Sequence, residues 1–352
     1  MSKVKYLYDY IEHTQEEALN ILLQNIEENN HDTYIINNLR EHDCFGSEGK
    51  DFTPFKNIQT KLEEYNSNLI ILQSGYIDTL QLERMFPRIK FIKYSFTYIR
   101  YILNELGVDF INNIKIPNEF WRFGLYLNHK PHPWRCELVD SVALLWSDFF
   151  SMSTFTWHYM YEEHWGQPYE WKFWKEEVKN INQHEPLIGN KCYELDLSEK
   201  HAVQLISESS IDYFFLSDKT VKPLLFKQLF LVHGCIGFHT YLKNHFGFKL
   251  YDELFDYSFD MNPNTEYRAR QVVKQLKNLH EKYPAEKDWK KMYVSVKDKL
   301  NYNQQRCYEL LNDKKLNKEW FDFLSEYKNH LPKEVLDFYN GNILPTKKQS
   351  LI

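Results

Sequence analysis

The feature that most constrains this chain is the regular alternation of short apolar runs with amphipathic segments of helical period. KVKYLYDY, DTYIINNL, NLIILQ and IKFIKY each read as strands. Between them EEALNILLQNIEE, FKNIQTKLEEY and IDTLQLERMF carry apolar residues at three- and four-residue spacing, and FTYIRYILNELG follows as a helix closed by Gly107. Runs apolar on every residue suit strands covered on both faces, and strands separated by helices must lie parallel. Thr14 and Glu17 have the spacing of a capping box at the first helix. The polar stretch REHDCFGSEGKDFTPF is a long loop of the kind that often carries function.

A second series of the same kind starts near residue 122. RFGLYLN, AVQLIS, LFLV and FKLY read as strands, and PWRCELVDSVALLW, TVKPLLFKQ and GFHTYLKNHF as helices, the last closed by Gly247. The sequence therefore predicts an α/β protein with two doubly wound, Rossmann-like domains. These are an N-terminal domain over 1–121 and a second over 122–300, followed by a helical C-terminal extension over 301–352. With 352 residues, two domains are the natural expectation. Open parallel sheets bind ligands beyond the carboxyl ends of their strands, so a cleft between the domains is the expected site.

Composition excludes several classes. Hydrophobic residues make up 43% of the chain, yet no apolar run approaches the roughly 18 residues of a membrane span. The start, MSKVKYLYDY, lacks a signal-peptide apolar core. The five cysteines are scattered without a C-x-x-C pair, which argues against a disulfide framework or zinc ribbon and for a reducing cytoplasm. A net charge of −6 argues against a protein coated in basic surface for nucleic acid. His129 with His132, and Glu162 and Glu163 with His164, fall short of a metal-ligand pattern, so no metal is expected. There is no G-x-G-x-x-G or phosphate loop of the kinase type. The aromatic stretch SDFFSMSTFTWHYMYEEHWGQPYEWKFWKEE reads as core or seam packing.

The segment SDKTVKPLLFKQLFLVHG concentrates the chemistry. Because Pro223 suits only the first turn of a helix, the helix is expected to begin near Lys219 or Thr220, with Ser217 and Asp218 at its mouth. Free N–H groups there favour a phosphate, and the Lys219 ammonium adds a full charge. Asp218 is suited to accept from the hydroxyls of a ribose or sugar. The plain alternative is a solvated helix start.

Over roughly 124–260 the chain resembles a known family. LYLNHKPHPWRCELVDSVA, AVQLISES and YFFLSDKTVKPLLFKQLFLVHGCIGFHTYLKNHFGFKLYDELFDYSFD resemble the donor domain of glycosyltransferases allied to the α-1,3-fucosyltransferases, whose relatives are common in large viruses and phages. The family pattern is an LN-x-x-P-x-x-x-R segment, a strand ending in an acid, a T-E-K-x-x-K-P turn, a G-F-x-x-F segment and an acidic element, in that order. The resemblance implies the two-domain GT-B fold, with an acceptor domain followed by a donor domain, and transfer of a sugar from a nucleotide-sugar to an acceptor hydroxyl. Inversion without a metal or other cofactor is implied. Arg135 and Lys219 would hold the donor diphosphate. Asp218, Glu208, Asn128 and Ser217 would meet the donor sugar or nucleoside. Two departures, Asp218 where the family has glutamate and Trp134 where histidine is common, bear on which sugar or nucleoside is bound.

For attack with inversion a carboxylate must take the acceptor proton. Asp78 and Asp9 are the favoured candidates because each follows a strand; Asp43 and Glu48 lie in the long loop. The acceptor is expected to be a glycan or protein, in the cytoplasm, or the host cytoplasm for a viral protein. The alternatives are a DNA glycosyltransferase acting on a hydroxymethylated base, which would need a basic groove, and a non-catalytic nucleotide-sugar-binding protein.

Overall fold

The computed structural model describes residues 3–9, 15–29, 31–39, 52–74, 79–116, 122–126, 132–150, 153–156, 172–173, 183–184 and 201–340. The described strands are β1 (Val4–Asp9), β2 (Thr33–Asn38), β3 (Asn68–Gln73), β4 (Ile89–Lys93), β5 (Arg122–Tyr126), β6 (Ser153–Thr156), β7 (Gln183–His184), β8 (His201–Ser207) and β9 (Phe230–His233). The helices are α1 (Gln15–Asn29), α2 (Thr53–Glu64), α3 (Thr79–Met85), α4 (Thr97–Leu106), α5 (Val108–Asn113) and α6 (Pro133–Leu145), then α7 (Asp218–Leu225), α8 (Phe238–Asn244), α9 (Thr265–Lys282), α10 (Glu286–Leu311), α11 (Lys318–Tyr327) and α12 (Lys333–Asn340). The strands form two sheets, both parallel throughout, as the alternating pattern requires.

The chain divides into two compact units, Met1–Asp109 with Tyr213–Leu216 and Glu309–Ile352, and Phe110–Asp212 with Ser217–Tyr308. In this division the break falls within α5, between Asp109 and Phe110, and residues 309–340 cluster with the first unit. The reason is aromatic packing. Trp320 of α11 lies against Tyr94 and Tyr339, with ring centroids 5.1 and 4.9 Å away, and Arg100 donates to the carbonyl of Phe338.

In the first unit the strand order is β1-β2-β3-β4. Ala18, Leu22 and Ile26 recur every four residues on α1, and Phe55, Ile58 and Leu62 share one face of α2; all six are fully buried against Tyr34, Ile36, Leu69 and Ile71 of the sheet. Each of the leucine, isoleucine and phenylalanine side chains among them contributes about 1.5–3 kcal/mol by leaving water. Every residue of β2 is buried, which is why DTYIINNL shows no alternation.

The second sheet has the order β7-β6-β5-β8-β9. The chain enters at its centre with β5, adds two strands on one side, then crosses back to lay β8 on the other side of β5. The direction of winding therefore reverses between β5 and β8, and the connections leave their carboxyl ends in opposite directions. At such a switch point the strand ends are left uncovered for a ligand. α9 packs along α6, with Ala269, Val272, Val273 and Leu276 buried on one helix and Leu138, Val139 and Val142 on the other. The amino end of the sheet is closed by neutral hydrogen bonds. The buried Tyr293 hydroxyl donates to the carbonyl of Ala202 and accepts from the Leu229 N–H, and Gln204 donates to Gln228.

Two expected elements differ. FKLY is not a strand; its backbone is held by the side-chain amide of Asn303, which accepts from Lys249 N–H (2.8 Å) and donates to the Lys249 carbonyl (2.9 Å). The STFT segment, read as aromatic packing, is strand β6.

Candidate functional site

The carboxyl ends of β5 and β8 lead into α6 and α7, and the charged residues gather there. α6 opens with Pro133, which suits a first helical position because its missing N–H is not needed there. Arg135, two residues on, is 3% exposed. Trp134 donates its indole N–H to the carbonyl of Glu208 (3.1 Å), and its ring stacks on His132 at 4.3 Å with the planes 4° apart. These contacts tie the start of α6 to the end of β8.

Glu208 follows β8 directly and is wholly enclosed, at 0% exposure. Its Oε2 accepts from the Ser217 hydroxyl (2.6 Å) and the Ser209 N–H (3.0 Å); its Oε1 accepts from the Thr220 hydroxyl at 2.5 Å. Ser217 is the N-cap of α7, its oxygen accepting from the Lys219 N–H, and Thr220 is the third helical residue. A capping box normally has an acid at that third position. Here both positions carry hydroxyls and the acid reaches in from a neighbouring strand.

Lys219 is 6% exposed and donates from Nζ to the Ser209 hydroxyl (2.9 Å), with Asp218 Oδ1 3.8 Å away. The other Asp218 oxygen accepts from Lys222 at 2.8 Å, one turn along. α7 starts at Asp218, one residue earlier than expected, so Pro223 is the sixth residue and lies inside the helix rather than in its first turn. There it cannot donate to the carbonyl of Lys219.

The electrostatics bind these groups into one cluster. Burial pushes the Arg135 guanidinium down to about 10, against the pull of Glu208 and Asp218. Burial also lowers the Lys219 ammonium, assisted by the Arg135 charge and opposed by Asp218 and Glu208. For Asp218 burial alone would raise the carboxyl, but Lys222, Lys219 and Arg135 together hold it well below the usual carboxylate range. Arg135, Lys219 and Lys222 against Asp218 and Glu208 leave the cluster net positive. Cations whose own charge is disfavoured by burial gain when an anion arrives.

Of the residues expected from sequence, Arg135, Lys219, Asp218, Glu208 and Ser217 are brought together. Asn128 and Asp78 lie outside the described residues. Asp9 closes β1, paired with Asn37, and its side chain is also outside them. The expectation for Glu208 changes: its three donors come from within the protein, and it has no exposed surface to offer a ligand.

Sequence reasoning passed over Trp134, Ser209 and Thr220 as supports. Ser217 and Thr220 at box spacing were the available signal. It also passed over a second cluster after β9. Arg268 donates to the carbonyls of Asn262 (2.6 Å) and Gly234 (3.1 Å), and Asp260 accepts from the His239 ring (2.8 Å) and the Thr240 N–H (2.9 Å). These bonds fix the loop that follows β9. Compared with models of known protein families, with curated proteins and with solved structures, the chain matches none of them.

Proposed function

We propose that the chain is a nucleotide-sugar-dependent glycosyltransferase with the two-domain GT-B organisation, in which the second unit binds the donor. The observation that carries this reading is the pairing of two buried cations, Arg135 and Lys219, at the switch point of a parallel sheet beside a helix start. When the bond between the sugar and a nucleoside diphosphate breaks, its electron pair stays with the leaving phosphate oxygen. Fixed cations stabilise that charge as it grows. Arginine's planar fork meets two phosphate oxygens at once, and lysine acts as a point charge, so the two are complementary. Asp218, ionised and partly exposed, accepts from a hydroxyl of the ribose or sugar.

The acceptor is a glycan or protein hydroxyl. Its oxygen forms the new bond to the sugar carbon with inversion, and its proton passes to a carboxylate, for which Asp78 and Asp9 are the candidates. The test is a thermal-shift panel of UDP-, GDP-, ADP- and CMP-sugars, followed by donor turnover. Lys219→Ala is expected to lower turnover by roughly 10²–10³. Arg135→Lys, which keeps the charge but loses the fork, should have a smaller effect in the same direction. A turnover rate indifferent to both changes would overturn the assignment; donor binding without turnover in the wild type would leave a binding protein.

A further inference from the structure

Glu208 has a place in this site that its residue type does not announce. It is a carboxylate with no exposed surface, yet it stands between the two strands and two helices that carry the anion-binding groups. Its backbone N–H donates to the carbonyl of His233 (3.0 Å) and its own carbonyl accepts from Trp134, so the residue is fixed from β9 and from α6. Its side chain holds the first turn of α7 at both hydroxyls. The charged and titratable groups around it are Arg135 from α6, Asp218, Lys219 and Lys222 from α7, and Cys235 after β9.

We propose that Glu208 is a positioning residue: it anchors the first turn of α7 through Ser217 and Thr220 and acts as the enclosed countercharge that lets Arg135 and Lys219 sit buried as a fixed cationic pair, without touching the ligand itself. A buried cation without a countercharge sheds its proton or leaves the interior. Two cations placed together make that cost larger, since each disfavours the other. Asp218 is partly committed to Lys222 and lies on the solvent side, which among the described residues leaves Glu208 as the interior anion of the cluster. Its direct bonds to Ser217 and Thr220, and the contact of Lys219 with Ser209 beside it, place the ammonium and the helix start together. The anion-binding end of α7 is thereby built before any ligand arrives.

This inference rests on the reading of Arg135 and Lys219 as an anion site, and the experiment separates the two. Binding of inorganic pyrophosphate is measured by calorimetry from pH 6 to 10 for the wild type, Glu208→Gln and Thr220→Val, and the Lys219 side chain is titrated in each by NMR of isotope-labelled lysine. Glu208→Gln should bind pyrophosphate at least as tightly as the wild type at the acid end, because a negative charge is gone, and as the pH is raised it should lose affinity sooner than the wild type, because Lys219 gives up its proton earlier. Thr220→Val keeps the charge and drops one bond; its affinity should fall about three- to tenfold at every pH, with the Lys219 titration unmoved. A Lys219 titration that is the same in Glu208→Gln as in the wild type would overturn the countercharge, whether or not pyrophosphate binds. Unchanged affinity in Thr220→Val would overturn the anchor, and this second variant decides the matter if Glu208→Gln does not fold. Absence of pyrophosphate binding by the wild type would count against the anion site alone, because the lysine titration still reports on Glu208.

Discussion

The two parallel sheets are built from similar strands and differ in one respect, the order in which the strands are laid down. The first grows in a single direction, β1-β2-β3-β4, and among its described residues Arg100 is the only buried charged side chain. β2 and β3 end in buried neutral residues, Asn38, Gln73 and Ser74, while β1 ends at Asp9 and β4 at Lys93. The second sheet reverses direction between β5 and β8, and Arg135, Glu208 and Lys219 are buried beside that reversal. Arg268, in the first turn of α9, and Asp260, in the segment between α8 and α9, are buried nearby. Where the connections from adjacent strands part, no helix crosses the strand ends, and charged groups can be held there without being smothered by apolar packing. Among the described residues, buried charge is concentrated in the second unit.

This contrast is open to direct attack. Ile71 is fully buried at the centre of the first sheet, and Ile71→Ala should destabilise the first unit by about 2–5 kcal/mol through lost transfer energy and the cavity left behind. Hydrogen exchange should locate the loss in β1 to β4, and pyrophosphate affinity at low temperature should be unchanged. Reduced affinity in this variant would mean that the two units are not separable in their roles.

Acid should affect the second unit by a smaller amount. His233 is fully enclosed at the end of β9, with Nε2 3.2 Å from the carbonyl of Thr265. A carbonyl only accepts, so Nε2 carries the hydrogen. Burial, followed by the charge of Arg268, pushes the ring down to about 3. In the unfolded chain a histidine titrates near 6.5, so between these values the unfolded state binds a proton that the folded state refuses, and stability falls as the pH is lowered. From pH 6.5 to 4.5 the loss should be about 2–3 kcal/mol from this residue. His245 and His280, also lowered by burial, act in the same direction. Asp218 and Asp260, both depressed, lose their contribution only below the ordinary carboxylate range, whereas Glu137, raised by burial, takes up a proton in the folded state as the pH falls and partly opposes the histidines. Denaturation midpoints of His233→Gln across the window should show a shallower slope; an unaltered slope removes His233 from the account.

Much of the architecture was legible because parallel strands buried on both faces cannot hide their composition. NLIILQ, AVQLIS and IKFIKY are short runs rich in apolar residues, and all three are strands. FKLY misled because it has strand composition, but the strand hydrogen bonds it would make are supplied by the Asn303 amide, 54 residues away. No local pattern reports a partner at that distance. In the site, Lys219 and Ser217 were expected from residue type and helix-start chemistry, and Arg135 from the family resemblance alone. The role of Glu208 was not, since whether a carboxylate meets ligand or protein depends on what packs over it. Thr220 was passed over for the complementary reason: its spacing from Ser217 was visible, but a hydroxyl at the third helical position makes sense only once an acid from the neighbouring strand is known to reach it.

The smallest effect concerns the loop after β9 and sharpens the distinction between holding a ligand edge in shape and touching a ligand. Gly237 caps α8 in the left-handed region, with φ of 73°, and its N–H donates to the carbonyl of Asp260 at 2.9 Å. A Cβ there would meet Met261 Sδ at 3.2 Å. Met261 is 62% exposed and ends in a flexible thioether, so it can move aside, and space is not the obstacle. The cost of Gly237→Ala is conformational, about 1–2 kcal/mol for a non-glycine residue in this region. Asparagine visits the same region more readily, so Gly237→Asn should cost less than Gly237→Ala, and a β-branched Gly237→Val more. That ranking is the signature of backbone strain; equal losses for Asn and Ala would point to a steric clash at Met261 instead. Pyrophosphate affinity should be the same in Gly237→Asn and the wild type, because Arg135 and Lys219 are supported from α6, β8 and α7. A loss of affinity without a loss of stability would place this loop in contact with the ligand, and would extend the chemical edge of the second sheet from β8 across to β9.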